Sequence, residues 1–328
     1  MDSLERFAFA TALVVPAIVM SGAASAQPPP LDRAAQDDSL HGPGEMRDGS
    51  ASGEHGTIAG TNSFERITVP VHFDGVGPFP FLIDTGSETT VFSTQLAADL
   101  GLVALGSLSL AGGIGRADAQ RIGATRFNIG KHAISSARAV LLEAEHLGAA
   151  GVLGIDSLRD YRVVFDFESD NITITRSRSR PKSALSARSD GRSFEITVRA
   201  RRVDDRMVLT SADLDGVPVQ VIIDTGSNVS IANPALRRRL SRARAIGKAS
   251  ILDVTGAEGL REVVLADSFR MGPLVMGESA FIISDSPAFE SLGLSDQPAV
   301  LLGMNHLRAF RRISVDFARR EVSFDLKG

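Results

Sequence analysis

The chain has 328 residues, a formal net charge of −4 and 43% apolar residues. That is enough for one large or two medium cores, and too acidic for general attraction to nucleic acid or an anionic membrane. Cysteine is absent, which excludes disulfides, thiol catalysis and cysteine metal sites. The six histidines form no H-E-x-x-H, and neither a G-x-S-x-G elbow nor a Walker loop occurs, so no metal or cofactor is implied.

The first element is an apolar run, Phe7 to Met20, behind Arg6, and Ala24-Ser25-Ala26 then precedes Gln27 in the A-x-A pattern of leader cleavage. Residues 1–26 read as a secretory signal peptide. An uncleaved anchor is the alternative, but a mostly apolar run of fourteen residues broken by Pro16 falls short of the roughly 20 that span a bilayer. Residues 27–62 are rich in Pro, Gly, Ser and charge and nearly devoid of large apolar side chains, the composition of a disordered tail.

From residue 63 the pattern changes to short β runs punctuated by glycine. Ile67 to Phe73 alternates and turns at Asp74-Gly75, a strand and hairpin signal. The apolar run Phe79 to Ile83 then drives into Asp84-Thr85-Gly86-Ser87 and resumes at Val91-Phe92. A carboxylate at the end of a buried strand is costly unless it is paired, hydrogen-bonded or protonated. A brief helix is expected at Thr94–Leu100, a glycine-rich turn at Gly112-Gly113-Ile114-Gly115, an apolar strand at Val152-Leu153-Gly154, and two last strands at Val163–Phe167 and Asn171–Thr175.

Residues 176–193 carry six basic residues and one acid. They could form a nucleic-acid arm, but they separate two similar halves and read as a solvated linker. The second half, 194–328, repeats the first. Asp215-Gly216 matches Asp74-Gly75, and Ile222-Ile223-Asp224-Thr225-Gly226-Ser227 matches the first aspartate motif. A helix begins at Pro234 and a turn lies at Asp253-Val254-Thr255-Gly256; Leu301-Leu302-Gly303-Met304-Asn305 matches Val152 to Asp156, and Ile313–Phe317 and Glu321–Phe324 close the chain. Offsets of 140 at the aspartates, 149 at the Leu-Gly pairs and 150 at the Asp-Phe pairs are what duplication with small loop insertions leaves. One Asp-Thr-Gly would be only a turn; the tripeptide arises by chance about once per several thousand positions. Two matched copies point to a pair of carboxylates. The arginines at 237, 238, 239, 242 and 244 read as a solvated face.

These residues resemble the retropepsin-like and pepsin-like aspartic proteases. The signature is apolar-apolar-Asp-Thr-Gly-Ser followed by a later apolar-apolar-Gly, and it occurs twice across residues 64–328. Leu302-Gly303-Met304-Asn305 is similar to the apolar-Gly-Arg-Asn/Asp of retroviral proteases, and Leu110 to Gly115 resembles their flap tip, with Thr255 and Gly256 the comparable candidates in the second half. The pepsin pattern has a flap tyrosine, whereas the one tyrosine here is Tyr161, read as structural.

The resemblance implies an all-β fold of two acid-protease-like barrel lobes, 63–175 and 194–328, with the active site at their interface. Asp84 and Asp224 would share a proton about 3 Å apart, as the dyad of aspartic proteases does, and activate a water without a covalent intermediate. By the same resemblance Thr85 and Thr225 cross-bond beneath the dyad and Gly86 and Gly226 admit backbone N–H groups. Ser87 and Ser227 bond the outer carboxylate oxygens, and Leu153-Gly154 and Leu302-Gly303 pack beneath. The expected protein is an exported, monomeric aspartic endopeptidase of a bacterial periplasm, without stable membrane insertion after leader removal, acting on polypeptide. A catalytically inactive peptide-binding or scaffold protein on the same fold is the alternative.

Overall fold

The structure is a computed structural model that describes residues 66–326, apart from 138, 178–184, 190–193 and 204–205, with the short strand segments 8–9, 13–14, 57–59 and 61–63. Most of the expected leader and of the expected tail lies outside the described residues.

Each half builds the same sheet in the same order. In the first, the strands Ala104–Ala111, Arg116–Ile122, Ala139–Leu142, Thr90–Ser93, Gly151–Leu153, Val76–Ile83, Arg66–Phe73, Thr125–Ile129 and His132–Ser136 are successive neighbours. In the second, Arg244–Asp253, Glu258–Ala266, Ser279–Ile283, Ile231–Ala232, Ala299–Leu302, Val217–Ile223, Arg206–Leu214, Phe269–Met271 and Leu274–Met276 follow the same path. The duplication read from sequence offsets is therefore one of topology, and the protein is mostly β.

The aspartate-bearing strands are central. Val76–Ile83 lies between the antiparallel Arg66–Phe73 and the parallel Gly151–Leu153, and its last three residues, Phe81, Leu82 and Ile83, are all buried. A strand covered on both faces has no polar side, which is why the sequence there is continuous rather than alternating. Phe73, Phe81, Phe92 and Phe127 pack around it with ring centroids 5.4–6.5 Å apart. In the second half Val217–Ile223 runs parallel to Ala299–Leu302 and ends in Val221, Ile222 and Ile223, also buried.

A third sheet joins the halves. Its strand order is Leu185–Ser189, Phe194–Arg199, Glu321–Asp325, Arg312–Asp316, Tyr161–Asp166, Asn171–Arg176 and Thr57–Ala59. At its centre Val163 faces Val315 and Phe165 faces Ile313 across an antiparallel pair drawn from opposite halves. Val163, Phe165, Ile172, Ile174, Ile313, Val315, Val322 and Phe324 alternate inward and are buried, each worth about 1.5–3 kcal/mol of transfer from water. This shared sheet fixes one lobe against the other. Tyr161 opens one of its strands, its ring 5.5 Å from that of His132 and 5.7 Å from the Arg176 guanidinium.

Two expectations are corrected. The stretch expected to be a plain solvated linker contains a strand, Leu185–Ser189, paired with Phe194–Arg199; its backbone extends the shared sheet by one edge, where a polar sequence suits the role. The tail expected to run disordered to residue 62 ends in strands, since Thr57–Ala59 pairs with Asn171–Thr173 and Thr61–Ser63 with Arg66–Thr68. Both use open sheet edges that backbone groups alone can satisfy. The helices are shorter than their sequence patterns, Thr94–Asp99 and Pro234–Arg237. Arg237 and Arg244 pair with Glu262 and Glu278 of their own lobe.

Under the central strands each half buries a polar knot. In the first, Thr90 donates through N and Oγ1 to Asp156 Oδ1 at 3.0 and 2.7 Å, and Ser136 donates to Asp156 Oδ2 at 2.6 Å. In the second, the amide of Gly303 donates to Ser230 Oγ at 2.9 Å, and that oxygen lies 2.9 Å from Asn305 Oδ1 and 2.7 Å from His306 Nδ1. The His306 ring is stacked on Phe281 at 4.8 Å, and burial holds its pKa down at about 4.

That depression makes stability pH-dependent. The unfolded chain takes up a proton at His306 near the ordinary value of 6.5 while the folded chain does not until about pH 4, so this group costs stability as pH falls between those values. Urea unfolding should lose about 3 kcal/mol to His306 across that window, a component that His306→Gln should remove. An unchanged pH dependence in the variant would contradict the buried neutral imidazole.

Candidate active site

The two Asp-Thr-Gly loops meet head to head. Asp84 and Asp224 each leave the end of a central strand, held there by the amide of Asp84 donating to Leu153 O and that of Asp224 to Leu302 O, both at 3.0 Å. The loops then turn so that the amide of Ile155 reaches Ser87 O and that of Met304 reaches Ser227 O, both at 2.8 Å. Gly154 and Gly303 are required by this packing, because a Cβ on either would overlap the backbone of Thr89 or Val229. The apolar-Gly pairs of the sequence thus lie directly beneath the aspartate loops.

Thr85 and Thr225 lock the loops by four reciprocal bonds. The amide of Thr85 donates to Thr225 Oγ1 and that of Thr225 to Thr85 Oγ1, each at 3.1 Å. The two hydroxyls donate across to Ile223 O and Ile83 O, each at 2.7 Å. All four groups are buried, where an unmade bond is expensive.

Above this lock sit the carboxylates, both fully buried. The amides of Gly86 and Ser87 donate to Asp84 Oδ1 at 2.7 and 3.0 Å, and the amide of Gly226 donates to Asp224 Oδ1 at 3.1 Å. Gly226 lies so close to Asp84 that a Cβ there would overlap the carboxylate, so glycine is what allows the two loops to meet. Asp224 Oδ2 is buried and finds no hydrogen-bond donor among the described residues. Burial first, and then the charge of Asp84, push the Asp224 pKa well above the ordinary carboxylate range. The serine hydroxyls also tie down their own loops, Ser87 donating to Thr89 O at 2.8 Å and Ser227 to Val229 O at 2.7 Å.

The glycine-rich turns form the tips of two hairpins. Gly112 to Gly115 links the strands ending at Ala111 and beginning at Arg116, closed by the amide of Gly112 donating to Gly115 O at 2.7 Å. Thr255 and Gly256 lie in the turn after Asp253, whose amide donates to Ala257 O at 3.0 Å. The tips touch, since a Cβ on Gly115 would overlap that of Ala257. Each tip also rests on the opposite lobe: Ala111 and Ile114 pack with Val208, Ile222 and Ile251, while Val254 packs with Leu82, Val91 and Leu110. Outside the hairpins, Ala8–Phe9 pairs in parallel with Leu110–Ala111 and Leu13–Val14 antiparallel with Leu252–Asp253, so extended backbone finds partners along a strand of each hairpin.

Sequence reasoning missed Arg206. It is fully buried at the start of the strand Arg206–Leu214 and reaches into the first aspartate loop. Nε donates to Gly86 O at 2.9 Å, Nη1 to Ser291 Oγ at 2.8 Å, and Nη2 lies 3.2 Å from Glu88 Oε1. Its charge partly offsets the upward shift at Asp224. The available signal was an arginine set immediately before the apolar Met207-Val208-Leu209, a position no solvated residue needs.

A family model described as aspartyl protease matches the chain twice, over residues 69–157 and 210–306. Each match contains one aspartate loop, one of the two touching hairpins and one apolar-Gly strand. No curated protein matches the chain.

Replacing either threonine of the lock by valine keeps the shape and removes a hydroxyl, stranding a buried carbonyl and a buried amide on the other loop. Thr85→Val and Thr225→Val should each cost about 2–4 kcal/mol in denaturant unfolding. The double variant should cost less than the sum, because both deletions break one shared network. Additive losses would mean that the two hydroxyls act separately.

Proposed function

The chain belongs to the aspartyl protease family, and on that premise we propose that it is a single-chain aspartic endopeptidase whose dyad is Asp84 and Asp224. The observation that carries this reading is the buried facing of two carboxylates, one with an oxygen free of donors and a strongly raised pKa. Two like charges in that setting cannot both persist cheaply, so the pair holds one proton between them and titrates as a unit. An inactive peptide-binding protein would have no use for such a costly arrangement.

The chemistry follows from that shared proton. A water held by the pair gives its proton to the ionised carboxylate as its oxygen attacks the scissile carbonyl carbon. The protonated carboxyl donates to the carbonyl oxygen, producing a neutral gem-diol. Return of a proton to the departing nitrogen and collapse of the diol cleave the C–N bond and restore the one-proton pair. The amides of Gly86, Ser87 and Gly226 orient the carboxylates throughout, and the threonine lock keeps their separation constant. Extended polypeptide is the substrate form that the flap strands support, through backbone pairing along their edges. Because both halves of the dyad come from one chain, a monomer suffices. The leader pattern of residues 1–26 supports export, to a bacterial periplasm in this reading.

Asp84→Asn and Asp224→Asn should each lower kcat/KM on casein or a peptide library by at least about 10²–10⁴-fold, the scale of a lost general acid or base. Partial activity in both would instead mean that each lobe forms a site with a second copy; absence of turnover in the wild type on every substrate would favour a binding role. The pH profile of kcat/KM should fall on both sides of an optimum below neutrality, the alkaline side reporting loss of the shared proton. Stability should fall in the same direction on the alkaline side. Asp224 has a raised folded pKa, so the favourable protonated state is present below 3.8 and lost as pH rises. The gain in Tm of Asp224→Asn over the wild type should therefore grow with pH, and a gain independent of pH would contradict a protonated Asp224.

A further inference from the structure

Asp253 is a buried carboxylate at the second flap tip that the dyad chemistry does not use. Its Oδ1 accepts from the amide of Thr255 at 2.9 Å, the hydroxyl of Thr255 at 2.5 Å and the amide of Ala257 at 3.1 Å, all within its own tip. Its Oδ2 crosses to the other flap and accepts from the amides of Ile114 and Gly115 at 2.9 and 3.0 Å.

The pseudo-equivalent position in the first flap, by the bond that closes each turn, is Gly112. A Cβ on Gly112 would overlap Asp253 Oδ2. The two halves have thus diverged in complementary fashion: one supplies the carboxylate and the other the absence of a side chain that makes room for it. A symmetric pair of tips could not do this, since two aspartates would repel and two glycines would leave the Ile114 and Gly115 donors unmet.

We propose that Asp253 is a positioning residue that latches the two flaps into one lid, so that polypeptide reaches the dyad only when its bonds to Ile114 and Gly115 open. While the latch is closed, the donors of the first tip serve Asp253 rather than substrate. What the latch gates rests on the proteolytic reading; that it joins the flaps does not.

Amide hydrogen exchange on the full chain tests the latch whether or not any peptide is cleaved. In Asp253→Asn and in Gly112→Ala, exchange at residues 112–116 should accelerate roughly tenfold or more, the loss of at least one charge-assisted bond. Exchange at the dyad loops, 84–87 and 224–227, should stay within about twofold of the wild type, because their bonds are independent of the tips. The double variant should be no faster than the faster single one, since both changes break the same contact. For a cleaved peptide, KM should fall, because the open state that admits it is populated more often. An unchanged tip in Asp253→Asn, acceleration spread uniformly through both lobes, or additive effects in the double variant would overturn the latch. If Asp253→Asn does not fold, Gly112→Ala decides by the same readout, because it leaves the carboxylate in place and only denies it room. Loss of turnover in the wild type would count against the proteolytic reading alone.

Discussion

Two carboxylates that must face each other out of water are the constraint to which this structure answers. Left to themselves, the loops that carry Asp84 and Asp224 would separate and hydrate, because like charges repel most strongly where the dielectric is low. The reciprocal bonds of Thr85 and Thr225 oppose that separation. They work because each satisfies a backbone group of the opposite loop, so drawing the loops apart strands both partners. The same constraint shows in the electrostatics, where burial and the charge of Asp84 raise the Asp224 pKa well above the ordinary carboxylate range. Stability is given up locally at the dyad and recovered beneath it, an arrangement common to functional sites.

The lock can act only if the lobes are already held in register. The shared sheet supplies this, with the antiparallel pair Tyr161–Asp166 and Arg312–Asp316 as its centre. Arg206 adds a polar tie closer to the dyad, spanning from the second half to Gly86 and Glu88 in the first. An ion pair so buried contributes little net stability over an apolar replacement. Its value lies in direction, since a guanidinium fork fixes where the loop carbonyl and the carboxylate must lie.

Duplication made the halves alike, and fusion in one chain allowed them to differ. In a dimer of identical chains any change at a tip appears twice, facing itself across the axis. Here Gly112 faces Asp253, Asp156 stands where the other half has Asn305, and Ser157 stands where it has His306. The last two pairs place a carboxylate knot in one lobe and an imidazole knot in the other. Burial raises the Asp156 pKa and lowers that of His306, so both groups are driven toward the neutral form, each by the cost of holding charge away from water.

The sequence by itself determined the duplicated β architecture, the two aspartate loops, the apolar-Gly strands beneath them and the glycine tips of both hairpins. These were legible because each depends on local chemistry: a strand buried on both faces must be continuously apolar, and a tight approach of backbone to carboxylate admits only glycine. Tertiary structure alone decided the contacts between distant residues of ordinary local character. Asp253 has no distinguishing neighbours in sequence and Arg206 only the apolar run that it precedes; their roles come from Gly86, 120 residues from Arg206, and from Ile114, 139 residues from Asp253. The stretch at 185–189, inside the basic segment 176–193, and the end of the tail at 57–63 read as solvated because their surroundings in sequence offer little to bury. They form strands because sheet edges offer backbone bonds to any chain that passes, whatever its side chains.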